Sequence, residues 1–156
     1  MFKVKMIADY ISVGIVGLIC YPFIRFFETM NIFYLYFGIA LIGIEQSTKI
    51  IKHFTKDLGP IFLRPASASN CDILCRDGSG ENKPGFPSGH ATVAAFVMTV
   101  IYLMSPSLST AISCITIIAA TGWARHVKHC HNLVQICTGT LYGVVGALFF
   151  FRLASP

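Results

Sequence analysis

The sequence contains few charged residues and only one polar stretch of any length. Of its 156 residues, 12% are Asp, Glu, Lys or Arg, whereas 54% are hydrophobic and the mean hydropathy is +0.67. This composition excludes an ordinary soluble domain. The net charge is +5, but nucleic acid is excluded as a partner because the chain has no soluble basic domain that could bind it. The charge fits either anionic lipid head groups or an anionic substrate.

Five apolar stretches approach the length of a membrane-spanning helix. A hydrocarbon core of about 30 Å requires about 20 helical residues. The stretches are residues 9–27, 31–51, 90–105, 108–124 and 132–152. The sequence therefore predicts an all-α, multi-pass bundle of about five transmembrane helices, with the whole chain, 1–156, forming one domain. No cleavable signal peptide is indicated, because the first run is longer than a signal core.

Two of these stretches carry residues with a specific expected role. The second contains Glu45 and Lys49. An ionisable residue at that depth usually faces the bundle interior or a wet cavity, which makes Glu45 a candidate interior group, although it can also lie near the interface. The last stretch carries Gly139, Gly143 and Ala147 at four-residue intervals. Such a stripe of small residues favours the close approach of another helix.

Positive charge is concentrated on one face of the predicted bundle. Residues 1–8, 49–86 and 125–131 share that face, which holds ten of the twelve lysines and arginines. The positive-inside rule therefore predicts that the N-terminus and these loops are cytoplasmic.

Three cysteines, Cys71, Cys75 and Cys130, fall in these loops. In the cytosol their thiols would stay reduced. An oxidising lumen would permit a disulfide between Cys71 and Cys75 or between the two loops.

The segment from Lys83 to Ala94 contains the first indication of chemistry. A Pro-Gly-Phe-Pro turn leads into Ser88, Gly89 and His90 and then into an apolar run, which predicts that the triplet forms the first turn of a helix. Free backbone N–H groups at such a terminus bind anions. Ser88 and Gly89 let a phosphate approach the backbone, and His90 can donate a proton near neutral pH. The alternative is an ordinary junction between a loop and a helix.

The five-span layout brings Arg64, Arg125 and His131 to the same membrane face as His90. Guanidinium groups match phosphate oxygens, and two histidines supply the nucleophile and the acid of a covalent phosphoryl transfer. Gln135 follows His131 by one helical turn, so its amide oxygen can accept from one ring nitrogen and leave the other free to attack. Each residue taken alone can instead be a solvated surface group or a polar group inside the bundle.

Together these residues resemble the motifs of the type 2 phosphatidic acid phosphatase (PAP2) superfamily, which includes lipid phosphatases, glucose-6-phosphatase and the vanadium haloperoxidases. The resemblance covers about residues 49–150. The matching motifs are Arg64-Pro65, then Pro87-Ser88-Gly89-His90, then Arg125 followed by His131.

The resemblance implies a metal-independent membrane phosphatase that needs no cofactor. Its substrate would be a lipid phosphate or diphosphate of the phosphatidic acid or polyprenyl diphosphate class. His131 would be the nucleophile that forms a phosphohistidine, oriented by Gln135, and His90 would protonate the leaving group. The phosphate would be bound by Lys56, Arg64, Ser88, Gly89 and Arg125.

The chain departs from the family pattern at three positions. The position of the family lysine is occupied by Asp57, with Lys56 one residue earlier. Ala124 replaces a serine, and Gln135 replaces an aspartate, as in the glucose-6-phosphatase and dolichyl-diphosphatase branches. The family core also commonly has six spans, one more than predicted here.

Two other functions remain open at this point. The displaced lysine and the uncharged Gln135 favour a non-catalytic membrane protein that retains a lipid-phosphate pocket. A metal site is the second alternative, because Cys71 and Cys75 have a spacing found in zinc sites. Its further ligands would come from His126, His129 or Cys130.

Overall fold

A computed structural model describes residues 2–154 and contains one long helix for each of the five apolar stretches. No β-strand occurs among these residues, and the long loop after the second helix has only a 3₁₀ turn at Pro60–Phe62 and two isolated β-bridges. The all-α prediction is therefore confirmed. The helices are α1 (Phe2–Thr29), α2 (Ile32–Thr55), α3 (Gly89–Met104), α4 (Leu108–Val127) and α5 (Leu133–Ala154).

Three of the helices are long and apolar enough to cross a membrane, namely α1 from Lys3 onward, α4 and α5. Helix α3 is strongly apolar but has 16 residues, a length of about 24 Å. Helix α2 has 24 residues, and its C-terminal half carries Glu45, Lys49 and Lys52. The chain is thus a helical membrane protein, and five complete crossings remain a prediction.

Local sequence explains where two of the helices begin. The Asn31 side chain accepts a hydrogen bond from the Phe33 N–H at 2.9 Å, which caps α2. The Ser107 hydroxyl accepts from the Thr110 N–H at 3.1 Å, which caps α4 after the turn at Pro106. Asn and Ser are preferred at this position because they satisfy backbone N–H groups that have no partner within the helix.

Helix α3 is the central element, and it packs most extensively against α5. The predicted stripe of small residues, Gly139, Gly143 and Ala147, is buried at this contact. A Cβ atom on Gly139 would lie 2.5 Å from the Ser88 carbonyl oxygen, and one on Gly143 would overlap the Thr92 carbonyl. The glycines therefore allow α3 to approach α5 at backbone distance, which fixes the position of the Ser88–His90 turn.

Aromatic side chains fill the end of the bundle opposite the long loop. The rings of Phe37, Phe96 and Phe150 pack against one another with centroids 5.8–6.0 Å apart. Such arrangements contribute roughly 0.5–1.5 kcal/mol per pair beyond burial. This cluster fixes α2, α3 and α5 relative to one another and leaves the polar end of the bundle to the loops.

A disulfide between Cys71 and Cys130 joins the long loop to the connection between α4 and α5. The sequence left the pairing open, and the structure selects a bond between the two loops. Cys75 is a free thiol whose sulfur lies 2.8 Å from Lys128 Nζ. The disulfide ties the loop to the residue immediately before His131.

Candidate active site

The Ser88-Gly89-His90 triplet forms the first turn of α3, as the sequence predicts. Ser88 is the N-cap residue, and Gly89 and His90 begin the helix. The Ser88 N–H donates to the Gln135 carbonyl oxygen at 3.0 Å. The Thr92 hydroxyl donates to the Ser88 carbonyl oxygen at 2.9 Å. These bonds hold the turn against α5 and orient its free N–H groups.

Gln135 fixes the tautomer of His131. Its Nε2 donates to two backbone carbonyls, those of Ile61 at 2.9 Å and Leu63 at 2.8 Å. The amide oxygen must therefore face His131 Nδ1, 3.0 Å away. Because that oxygen can only accept, Nδ1 carries the proton and Nε2 keeps its lone pair. The contact predicted from the four-residue spacing is present, and it leaves Nε2 of His131 without a proton.

Burial lowers the pKa of His131 well below its usual value, and the positive charges of Arg125 and Lys52 lower it further. The imidazole is therefore neutral near pH 7. Only the neutral ring has a lone pair with which to attack an electrophile.

Arg125 is completely buried at the end of α4. Its Nη2 donates to the Cys71 carbonyl oxygen at 2.5 Å, and its Nη1 donates to the Ser12 hydroxyl at 3.2 Å. None of the described carboxylates lies within ion-pair distance of this guanidinium. A buried cation without a counter-charge is unfavourable, which indicates that an anion completes the site. The Arg125 carbonyl also accepts from the N–H of His131 at 3.3 Å.

Arg64 enters the site from the long loop. Its N–H donates to the Lys83 carbonyl at 2.8 Å, and its Nη1 lies 3.4 Å from Asp77 Oδ2. Burial would raise the pKa of Asp77, but hydrogen bonds from the backbone N–H groups of Asp72 and Cys71, together with the charge of Arg64, bring the pKa below its usual value. Asp77 thus positions both the Arg64 guanidinium and the loop that contains Cys71.

A cavity of about 380 Å³ lies where these segments meet. Its polar end is lined by Lys52, Arg64, Gly89, His90 and His131. Ser88, Arg125 and Gln135 do not line the cavity but are buried next to residues that do: Ser88 precedes Gly89, Arg125 donates to the Cys71 carbonyl, and Gln135 contacts His131. The structure thus brings together every predicted site residue except Lys56.

Four buried polar atoms in this group have no hydrogen-bond partner within residues 2–154. They are Arg64 Nε, Ser88 Oγ, His90 Nε2 and Arg125 Nε. Each unsatisfied buried group costs about 1–3 kcal/mol, so such groups are rare unless a ligand binds them. A tetrahedral oxyanion has enough acceptor oxygens to satisfy all four.

The phosphate contact predicted for Lys56 requires correction. Lys56 is the exposed C-cap residue of α2 and does not line the cavity. Lys52 lines it instead, with Nζ 3.7 Å from the point that a Cβ on Gly89 would occupy. Four residues advance a helix by about 6 Å, so Lys56 lies too far along the axis. Counting along the sequence from Arg64 missed Lys52.

Besides Lys52, two residues of the site were not predicted. The Ser12 hydroxyl contacts Arg125 from α1, at a separation of 113 residues. The Thr48 hydroxyl, one turn before Lys52, lies 3.6 Å from the position that a Cβ atom on Gly89 would occupy, the point above Gly89. Helical spacing on α2 could have identified Lys52 and Thr48, whereas no local signal points to Ser12.

The alternative metal site is not assembled. Cys71 and Cys130 are bonded to each other, which removes both as thiolate ligands. In the part of the chain that the structure describes, no group of three or more His, Cys, Asp or Glu side chains is arranged to hold a metal.

Comparison with known proteins supports the family that the motifs indicate. No curated protein and no solved structure matches the chain. Residues 30–156, which include α2 to α5 and every site residue except Ser12, match the family model of the PAP2 superfamily. Members of this family are in general phosphatases. The chain belongs to the PAP2 superfamily.

Proposed function

We propose that the protein is a metal-independent phosphatase that hydrolyses a lipid phosphate or diphosphate through a phosphohistidine at His131. The observation that carries this proposal is the group of four unpartnered buried atoms beside a neutral histidine. Donors from Arg64, Arg125 and Ser88 match the oxygens of one phosphoryl group.

In the first step the lone pair of His131 Nε2 attacks phosphorus. The P–N bond forms while the bond between phosphorus and the ester oxygen breaks, and His90 gives a proton to that oxygen. In the second step His90 accepts a proton from water, whose oxygen attacks phosphorus and breaks the P–N bond. Inorganic phosphate leaves and both histidines return to their starting states.

The remaining residues stabilise negative charge as it develops on the phosphoryl oxygens. Arg64, Arg125 and Lys52 contribute positive charge, and the N-terminus of α3 contributes backbone donors. Three cations around one phosphoryl group take the role that a divalent metal has in other phosphatases. Gln135 keeps Nε2 of His131 aimed at the cavity.

Phosphate release in EDTA from phosphatidic acid and from a polyprenyl diphosphate tests this function. We expect His131→Ala to lower kcat by about 10³-fold or more. His126→Ala is the matched control, because His126 is an exposed histidine in the same segment. Equal activity in wild type and His131→Ala would falsify the proposal.

A non-catalytic protein with a lipid-phosphate pocket is the second candidate. Its two arguments were the displaced lysine and the uncharged Gln135. Lys52 lines the cavity in place of Lys56, and Gln135 orients His131 without a carboxylate. Both observations favour the enzyme. Lipid phosphate binding without turnover across a broad panel of substrates would favour the second candidate.

The proposal includes the compartment that the active site faces. The positive-charge count predicts the cytoplasm, but the same loops contain a disulfide, which is expected in an oxidising compartment. Four of the ten positive residues on this face, Lys52, Arg64, Arg125 and Lys128, are engaged in the site or buried, which leaves six against Arg25 and Arg152 on the other face. The weakened charge bias still points to the cytoplasm, but the disulfide needs an oxidising environment, and we assign the site to the oxidising side on that ground.

Cysteine alkylation in intact cells tests this orientation. Free thiols are blocked before lysis, and the protein is then reduced and labelled with a maleimide that increases its mass. Two newly labelled cysteines, lost together in Cys71→Ser, are expected. A protein that acquires no label after reduction would place these loops in a reducing compartment.

A further inference from the structure

The active-site cavity extends beyond the residues that bind phosphate. Its volume of about 380 Å³ corresponds to roughly a dozen water molecules at about 30 Å³ each. One phosphoryl group fills only part of this space. The rest of the lining includes apolar side chains and three further charged residues: Ile15, Ile19, Ile73 and Val93, and Glu45, Lys49 and Asp72.

The geometry of α2 gives the depth of Glu45 relative to the phosphate site. Thr48 Oγ1 and Lys52 Nζ both lie within 3.7 Å of the point above Gly89, which marks the phosphate level on this helix. Glu45 precedes Thr48 by three residues, or about 4.5 Å of helix rise. Val93 lies four residues, or about 6 Å, along α3 from Gly89. A substrate bound by its phosphate would therefore extend past Glu45 and along the apolar wall.

Glu45 is a surprising residue in a cavity built for an anion. A carboxylate at this level repels a bound phosphate, so its place in the cavity lining points to a second, cationic group on the ligand. Its own partners are Lys49 at 3.0 Å and Gln46 at 2.8 Å. The Lys49 side chain is 60% exposed, and such exposed ion pairs contribute little to stability. The carboxylate is therefore free to exchange Lys49 for a group on the substrate.

We propose that Glu45 binds an ammonium group of the substrate, carried on the carbon next to the phosphate ester. The substrate class is a long-chain amino-alcohol phosphate, with its hydrocarbon chain against Ile15, Ile19 and Val93. The separation of about 4.5 Å along α2 matches a phosphate and an amine that lie a few bonds apart. A diacylglycerol phosphate has no cation for Glu45, and a diphosphate adds negative charge beside it. This inference rests on the proposed phosphatase function.

The test compares two substrates that differ only in the amine, octadecyl phosphate and 2-aminooctadecyl phosphate. We measure kcat/KM with wild type, Glu45→Gln and Glu28→Gln in detergent micelles. Glu28 is the matched control, because it also forms an exposed helical ion pair but lies at the other end of the bundle. We expect wild type and Glu28→Gln to prefer the amine by about tenfold or more, and the ratio to fall to about one in Glu45→Gln.

Equal kcat/KM values for the two substrates in wild type, or a preference that persists in Glu45→Gln, would overturn the amine subsite while leaving the phosphatase function standing. Calorimetric measurement of Kd for both lipids tests the amine subsite independently of turnover. An amine preference in Kd that depends on Glu45, without turnover of either lipid, would support the subsite and overturn the enzyme.

Discussion

Gln135 has more contacts than the orientation of one histidine requires. Its amide oxygen accepts from His131, while its Nε2 holds the backbone of Ile61 and Leu63, next to Arg64. An aspartate could make the first contact but not the other two, because a carboxylate has no donor. The glutamine therefore connects His131, the proposed nucleophile, to the segment that carries Arg64.

Replacing Gln135 by glutamate tests this double role. Glutamate has the length of glutamine, but its carboxylate would face the carbonyl oxygens of Ile61 and Leu63, so two attractive contacts would become repulsive. We expect kcat to fall about 10–100-fold with a smaller change in KM, and the unfolding free energy to fall by about 1–3 kcal/mol. Asn82→Asp, at an exposed position of the long loop outside the cavity lining, is the control for added charge. A variant with wild-type kcat would show that the amide donors are dispensable.

The lowered pKa of His131 gives a pH prediction. Because burial shifts the pKa below the usual value of 6.5, the ring stays neutral at pH 6.5 and becomes protonated only at more acidic pH. The nucleophile should therefore remain available well into the acid range. NMR of histidine-labelled protein, with the His131 signal identified by its loss in His131→Ala, measures this directly. Titration of that signal at or above pH 6.5 would contradict the burial.

Most of the site residues could be predicted from the sequence because each lies at the end of an apolar stretch. His90, Arg125 and His131 occupy such ends, and the two spans α3 and α4 between His90 and the other two bring all three to one face. Lys52 was missed because the phosphate-binding lysine was sought by its distance along the sequence from Arg64. Which lysine reaches the cavity is instead determined by helical spacing on α2. Ser12 could not be predicted, because its contact with Arg125 depends on how α1 packs against α4.

At the scale of helices, the contact between α3 and α5 determines where the active-site turn lies. The sequence predicted that the glycine stripe serves packing, and the structure adds that Gly139 faces the Ser88 backbone. Helix positions were predictable from the apolar runs. Their pairing was not, since a small-residue stripe does not identify its partner helix.

Adding one methyl group at this contact should be destabilising. In Gly139→Ala the new Cβ would lie 2.5 Å from the Ser88 carbonyl oxygen, so α3 must move away. We expect a loss of about 1–3 kcal/mol in stability together with a lower kcat, measured by thermal unfolding and phosphate release in detergent. Gly17→Ala in α1 is the control, because its Cβ would meet no atom within 4 Å. Equal stability of the two variants would contradict the close contact.

At the scale of the whole molecule, the disulfide joins the loop that carries Arg64 to the connection that carries His131. Cys71 accepts from Arg125 through its carbonyl, and Cys130 precedes His131. Composition and periodicity identified the membrane bundle, but they could not select one disulfide among the cysteines in the loops. Charge counting also could not show which positive residues belong to the site.

Removing the disulfide should therefore affect both stability and activity. The double variant Cys71→Ser, Cys130→Ser is expected to lose about 2–5 kcal/mol and to show a lower kcat, because Arg125 loses its fixed acceptor. Cys20→Ser is the control, since Cys20 is a free, exposed thiol on α1. Thermal unfolding and turnover equal to wild type would show that the loops are positioned without the bond.

The most direct test of the whole account is identification of the covalent intermediate. Wild-type protein is mixed with ³²P-labelled lipid phosphate, quenched within milliseconds in alkali, which preserves phosphohistidine, and mapped by mass spectrometry. The account predicts label on His131 alone, its disappearance in His131→Ala, and its accumulation when His90→Ala slows the second step more than the first. Label on any other residue, or turnover in His131→Ala, would contradict it.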